Sequence, residues 1–255
     1  MMAKEPRAAE STHWYTRDGV PMYTVPSKKD GSPRNTTLRD ARTLNLVPSV
    51  TTVLKVINAP ALTQWLIKQA ILSSLTLPRL DGEQDDLYVE RILSDSKEEG
   101  RAAANKGTEI HEAVQGFYEG KGYGAYPAEV AASASKIFET FGHQEWIAER
   151  PFSHELGFGG KCDLHAPSDD GIVIDAKSKE FGVGESPVGY DEHKMQLAAY
   201  RVGLGIPRAR CANLFVSRTV PGLAVIYEWE EADLKQGWEM FTHALNFWQA
   251  RNKHR

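Results

Sequence analysis

Apolar and polar positions divide the chain into two textures. From about residue 48 to 142, apolar residues recur at steps of three and four. Val53, Leu54 and Ile57 are followed by Leu62, Trp65, Leu66 and Ala70. That period predicts amphipathic helices. Pro48-Ser49-Val50-Thr51 reads as a helix start with Ser49 as its cap, and Pro60 divides the stretch into two helices. Residues 84–119 predict one or two more helices, with Ile110, Val114 and Phe117 on one stripe and His111 and Gln115 beside it. Another helix is predicted near 127–142.

Past residue 145 the period shortens. WIAERPFSHEL, GGKCDLHAP and GIVIDAKSK are short runs rich in strand formers, separated by Gly, Pro, Ser and Asp, and predict three consecutive strands. Asp191 then reads as the cap of a helix through Met195, Ala199 and Val202. CANLFVSRT and LAVIYEWE predict two further strands paired across Val220-Pro221-Gly222. A last helix carries Leu234, Trp238, Phe241, Leu245 and Trp248 on one stripe. Ahead of all this, HWYTRDGVPMYTV predicts a β-hairpin about Asp18-Gly19, and 26–45 a polar loop. The order is a helical half followed by β-β-β-α-β-β-α. It predicts an α/β (α+β) protein with a mixed sheet flanked by helices. A hairpin and helical region would span 1–104, packed on a core over 105–255.

Composition narrows the class. The chain has 255 residues, 41% hydrophobic and 25% charged, which excludes a disordered or fibrous chain. Two cysteines, Cys162 and Cys211, are too few for a disulfide scaffold, an iron–sulfur cluster or an all-Cys zinc site. No run approaches the roughly 18 apolar residues of a membrane span, and MMAKEPRAAES lacks the apolar core of a secretory signal. A cytoplasmic protein, in a reducing compartment, is the expectation. The net charge of −4 is spread unevenly: residues 1–55 carry a local +4, 81–99 a local −6 and the tail RNKHR +3. Such runs read either as solvated faces or, for a polyanion, as a basic contact with 81–99 turned away.

The informative segment is Gly160-Lys161-Cys162-Asp163 and, twelve residues after Asp163, Asp175-Ala176-Lys177. Ile172-Val173-Ile174 reads as a buried strand that ends in an acid and a lysine on one face. Burying either charge alone is costly. If Asp163 lies beside Asp175 across a hairpin, the two carboxylates repel unless a cation sits between them. Oxygen ligands of this kind favour Mg²⁺ or Mn²⁺. Such an ion beside a lysine suits phosphodiester hydrolysis, with the metal acidifying a water and the lysine orienting it.

These residues resemble the PD-(D/E)XK nuclease superfamily. Gly107-Thr108-Glu109-Ile110-His111 is similar to the Gly-x-x-x-His helix of its RecB-like branch, and Gln196-Leu197-Ala198-Ala199-Tyr200 to its Gln-x-x-x-Tyr helix. Glu149 stands where that branch often carries a Glu on the first core strand. Pro48-Ser49-Val50-Thr51-Thr52-Val53-Leu54, followed by Trp65, is similar to small phage-type exonucleases and to the mitochondrial genome maintenance exonuclease. The resemblance implies a restriction-endonuclease-like core. It implies metal ligation by His111, Asp163, Asp175 and the carbonyl of Ala176, with Mn²⁺ as an alternative to Mg²⁺. Lys177 would be the catalytic lysine, Gln196 and Tyr200 would support it, and Glu149 would join the site. Ala176 is smaller, and Ser178 less common, than the residues usual at those places.

The implied activity is a metal-dependent deoxyribonuclease. An exonuclease of phage or prophage type is expected, acting in DNA replication, recombination or repair on DNA with a free end or a single strand, beside phage recombination or replication proteins. A structure-specific endonuclease and a non-catalytic nucleic-acid-binding subunit are the alternatives. Individual residues also have plainer readings. Glu149 can simply pair with Lys161. His165 is a rival ligand on the strand of Asp163. Trp14, Tyr15 and Tyr23 either stack on bases or pin the hairpin. Lys28, Lys29, Arg34, Arg39 and Arg42 either follow a phosphate backbone or are solvated.

Overall fold

The computed structural model describes residues 13–57, 60–167 and 170–255. Residues 1–12, which hold the stretch read above for a secretory signal, lie outside the described residues. The element order is β1 (Trp14–Tyr15), β2 (Thr24–Pro26), β3 (Pro33–Asn35), α1 (Leu38–Leu44), β4 (Val47–Pro48), α2 (Val50–Leu54), α3 (Pro60–Thr76), α4 (Asp85–Tyr118) and α5 (Pro127–Phe141). Then come β5 (Ile147–His154), β6 (Phe158–Ala166), β7 (Ile172–Lys179), α6 (Asp191–Gly203), β8 (Arg210–Ser217), β9 (Ala224–Trp229) and α7 (Glu231–Asn252).

β5 to β9 form one mixed sheet in sequence order. β5–β6, β6–β7 and β8–β9 are antiparallel, whereas β7 and β8 run parallel. Parallel neighbours need a crossover, and α6 supplies it. Each sheet face has its own core. Cys162, Val173, Met195, Leu197, Tyr200, Leu234 and Phe241 build one with α6 and α7. Ile110, Val114, Ile137, Leu164, Ile174 and Leu214 build the other with α4 and α5. Small residues let the α6–α7 layer close tightly. A Cβ on Gly237 would come within 2.8 Å of the Lys194 carbonyl, and one on Gly203 within 2.0 Å of the Phe152 ring.

The expected strands and the three C-terminal helical segments are present, and Ser49 caps α2 by accepting from the Thr52 N–H at 3.0 Å. Two local expectations are corrected. The chain does turn at Asp18-Gly19, with Gly19 at φ 84°. However, Trp14 and Tyr15 pair with Pro48 and Val47 rather than closing a hairpin, and Thr24–Pro26 pairs with Pro33–Asn35. The supposed loop 26–45 also contains α1, closed by a capping box between Thr37 and Asp40. Short strands pair wherever burial is greatest, and Trp14 packs edge-on against Trp248 of α7, 6.0 Å between centroids. Trp14 and Tyr15 are buried, which leaves them no face for a base, but they anchor the paired strand β1 against α7 rather than pinning a hairpin to the helical half. Arg34 pairs with Asp40, Arg42 donates to the Asn252 carbonyl, and Lys28, Lys29 and Arg39 are solvated.

Residues 84–119 form a single long helix, α4, so the boundary expected at 104/105 falls inside one continuous element. The acidic run 81–99 covers the turn before α4 and the start of its N-terminal half, and none of its described residues belongs to either core. No described helix is long and apolar enough to cross a membrane.

Candidate active site

The ladder between β6 and β7 sets the site. Leu164 pairs with Ile174, His165 with Val173 and Ala166 with Ile172, which puts Asp163 level with Asp175. The ladder stops there. Instead of a backbone partner, the Ala176 N–H finds the Asp163 carboxylate, donating to Oδ2 at 2.9 Å. The strands part where the two acids stand, and the gap opens toward α4.

β6 also loses its alternation at this point. Residues two apart on a strand normally share a face, yet Cys162 packs in the α6–α7 core and Leu164 in the α4–α5 core. On the other side, Ala148 pairs with Leu164 and Arg150 with Cys162, so Glu149 is level with Asp163. Glu149 has φ 54°, a left-handed conformation rare for a residue with a side chain. Strain of this sort costs on the order of 1–3 kcal/mol and needs surrounding structure to hold it. The result is three acids in register on three neighbouring strands.

The two aspartates meet different surroundings. Asp175 is 1% exposed. Its Oδ1 accepts from Lys177 Nζ and Gln196 Nε2, both at 2.8 Å. Its Oδ2 lies 2.7 Å from Lys177 Nζ and accepts from Asn213 Nδ2 at 2.8 Å. All four lone-pair positions of the carboxylate are thereby used. Lys177 also donates to Gln196 Oε1 at 3.2 Å, and Gln196 Nε2 donates to the Tyr200 hydroxyl at 2.9 Å. Burial, only partly offset by Lys177, pushes the Asp175 carboxyl up to about 6. Burial works against charge on Lys177 as well, but Asp175 and Asp163 outweigh it and raise the ammonium above its ordinary value.

Asp163 lies at the mouth of the gap, with its side chain 18% exposed, and His111 Nε2 of α4 lies 2.9 Å from its Oδ2. The Asp163 charge raises the imidazole above its ordinary value. Burial alone would raise Asp163, but His111, Lys177 and the Ala176 N–H prevail and hold it below the usual carboxylate range. His111, Glu149 and Asp163 offer ligand atoms that all lie within 4.8 Å of one another. Glu149 is ion-paired to Lys161, as its plainer reading required, and stands in this cluster too. Asp175 is not in that cluster, its oxygens being turned to α6 and β8. His165 is buried and faces a different environment, with its imidazole held below its ordinary value by burial.

Two glycines make the geometry possible. A Cβ at Gly107 would stand 2.4 Å from Ser178 Oγ, so the bare α-carbon lets α4 lie this close to β7 without displacing that hydroxyl. That approach brings His111, one turn on, over Asp163. Gly160 leaves room for the Phe152 and Tyr200 rings, with the nearest atom 2.7 Å from a would-be Cβ.

Sequence reasoning missed Asn213 and Trp229. Asn213 is fully buried, binds Asp175 and accepts from the Trp229 indole N–H at 2.8 Å. The available signal was an amide inside the apolar run CANLFVS; a buried strand carries such a group only when it has partners.

No protein-family model matches the chain, and no curated protein matches it. Among solved structures, the alkaline exonuclease LHK-Exo from Laribacter hongkongensis aligns with a TM-score of 0.41 at 14% identity, over 80% of this chain and 89% of that one. The crystal structure of SSO0001 aligns with a TM-score of 0.28 at 16% identity, over 71% and 86%. Likeness this loose carries no functional assignment.

Proposed function

We propose that the chain is a metal-dependent deoxyribonuclease, an exonuclease of the phage type acting in DNA replication, recombination or repair. The observation that carries this reading is the meeting of His111, Glu149 and Asp163 as a donor set beside an Asp175–Lys177 pair, at a gap between two strands. One imidazole and hard carboxylate oxygens fit Mg²⁺, and the imidazole makes Mn²⁺ an effective substitute. His111, Glu149 and Asp163 would hold the ion, with the Ala176 carbonyl on the adjoining strand as a further ligand, while Asp175, whose oxygens are taken by Lys177, Gln196 and Asn213, would support the site from behind. A bound divalent ion supplies a more acidic water and neutralises charge on the phosphate.

The protein's own groups divide the remaining work. Lys177 is kept protonated by two carboxylates. It therefore serves as a hydrogen-bond donor that orients the water or meets charge on the phosphate, rather than as a base. Gln196 fixes the ammonium by accepting from it while donating to Asp175 and Tyr200. Asn213, backed by Trp229, fixes the far side of Asp175. Preorganised in this way, the pair needs no rearrangement as charge develops.

The test is a digestion panel of 5′- and 3′-labelled linear DNA, single- and double-stranded, with Mg²⁺, Mn²⁺ or chelator, alongside closed circular DNA. Metal-dependent release of mononucleotides from linear DNA, with circles spared, is the expected result. Lys177→Ala should abolish release while DNA is still bound. Nicked circles would replace the exonuclease by an endonuclease. Linear DNA left intact at high protein excess would leave only a binding role.

A further inference from the structure

Beside the acid pair lies a cavity of about 320 Å³, between α4 and the C-terminal ends of β7 and β8. Its volume is at the lower end of those that enclose a small-molecule ligand, roughly 300–1,000 Å³. His111, Lys177 and Arg218 line it together with the hydroxyl residues Thr108 and Ser178, and among the described residues no carboxylate does. In a protein of net charge −4, a hollow walled by two permanent cations, Lys177 and Arg218, with an imidazole beside them, is suited to an anion.

Arg218 is held firmly. Its backbone N–H donates to the Lys179 carbonyl at 2.8 Å, which ties it to the end of β7. Its own carbonyl accepts from Lys106 Nζ at 2.5 Å, which ties it to α4. Its guanidinium reaches Glu180 at 3.4 Å, and Glu180 is itself largely solvated. The attachment at Lys179 sets Arg218 two strand residues beyond Lys177, roughly 7 Å along β7. That offset is comparable to one sugar–phosphate repeat. The remaining lining includes the apolar residues Ala104 and Ile110 of α4 and Val216 of β8, which suits a sugar rather than a further charge.

We infer that Arg218 binds the phosphate next to the scissile one, so that the site reads two consecutive phosphates of a polynucleotide instead of a lone phosphodiester. The inference rests on the phosphodiesterase reading of the Asp163–Lys177 corner and adds to it a second anion subsite. A planar guanidinium suits this task, because it offers parallel donors to two phosphate oxygens.

The test compares the full-length wild type with Arg218→Met and Arg218→Lys by two independent readouts. The first is fluorescence anisotropy of labelled oligothymidylate in chelator over a salt series, which needs no turnover. Losing one phosphate contact should weaken binding and reduce the slope of log affinity against log salt by about 0.7. The second is the ratio of kcat/KM for oligothymidylate to that for bis(p-nitrophenyl) phosphate, which has no neighbouring phosphate. Arg218→Met should lower that ratio roughly tenfold, mainly through KM, and Arg218→Lys should recover part of it. Lys106→Met, which loosens the anchor without touching the guanidinium, should give a smaller change of the same sign; it serves also if Arg218→Met does not fold. An unchanged salt slope and an unchanged ratio in Arg218→Met would overturn the subsite. If the wild type hydrolyses neither substrate, the nuclease reading fails, and the salt series still decides whether Arg218 holds a phosphate.

Discussion

Asp163 and Asp175 are level with each other on adjacent strands, yet their surroundings treat them in opposite ways. Asp175 is sealed from water, and each of its oxygens is used twice by Lys177, Gln196 and Asn213. Asp163 stands in an open corner, where its neighbours are an imidazole, a backbone N–H and a strained glutamate. Burial dominates the first and raises its carboxyl to about 6, while nearby positive charge dominates the second and lowers it. Equal residue types in one row therefore divide into a fixed framework and an accessible carboxylate. The proposed metal-dependent reaction would need both, a lysine held still and a carboxylate open to an incoming ion.

The largest expected effect comes from breaking the framework. Asp175→Ala removes the counter-charge of Lys177 and strips partners from buried Gln196 and Asn213. Truncating one side of a buried pair costs about 3–5 kcal/mol. Denaturant unfolding should show a loss of that order in Asp175→Ala and less than half of it in Asp163→Ala, whose side chain already touches water. Equal losses would erase the distinction between the two acids.

Metal affinity should sort the same pair the other way. Titration calorimetry with Mn²⁺ should show a greater loss for Asp163→Ala than for Asp175→Ala, with Glu149→Gln closer to the former. Replacing a directly coordinating group should exceed the roughly 10–100-fold typical of an outer partner. The reverse order would make Asp175 the principal ligand.

Acidity offers a third comparison, made in chelator. The folded value of Asp175 lies above its unfolded one, so the folded chain binds the extra proton between about pH 4 and 6. Its contribution to stability is whole below that window and falls as pH rises through it. Asp163, held low, behaves oppositely: its contribution is present above the unfolded carboxylate range and is lost as pH falls through the folded value. The stability difference between wild type and Asp175→Asn should thus move against the wild type from pH 4 to 6. The difference for Asp163→Asn should move in the wild type's favour as pH climbs out of the acid range. Parallel slopes in the two series would contradict the assigned directions.

The smallest effect concerns how α4 is brought to the row. Gly107→Ala sets a methyl against Ser178 Oγ and should cost about 1–3 kcal/mol through overpacking. His111 would retreat from Asp163, and Mn²⁺ affinity would fall with it. Ser178→Ala should relieve the contact, because the remaining Cβ is 3.6 Å away. The double-mutant cycle should therefore show a favourable coupling energy.

Much of the candidate chemistry was readable in one dimension because its parts are local. Asp175-Ala176-Lys177 ends an unmistakable apolar strand, and period two alone puts its acid and lysine on one face. Gln196 and Tyr200 are one helical turn apart, as are Gly107 and His111, so each pair shares a face before any packing is known. Charge runs were less telling: of the acidic stretch 81–99, Asp85, Asp86, Glu90 and Glu98 are solvated on α4 and Glu83 is paired with Arg91, while Arg34 and Arg42 are occupied by Asp40 and the Asn252 carbonyl.

What remained hidden depends on contacts between distant segments. Asn213 looked like one more strand residue until β8 ran parallel to β7 and set it opposite Asp175. Trp14 looked like half of a hairpin until α7 offered Trp248 to bury it against. Sequence by itself determined the residue types, their periods and the faces they share within each element, since those follow from backbone geometry over a few residues. Only the tertiary structure decided which acid would be sealed and which left open, because burial and neighbouring charge are properties of the surroundings and not of the residue.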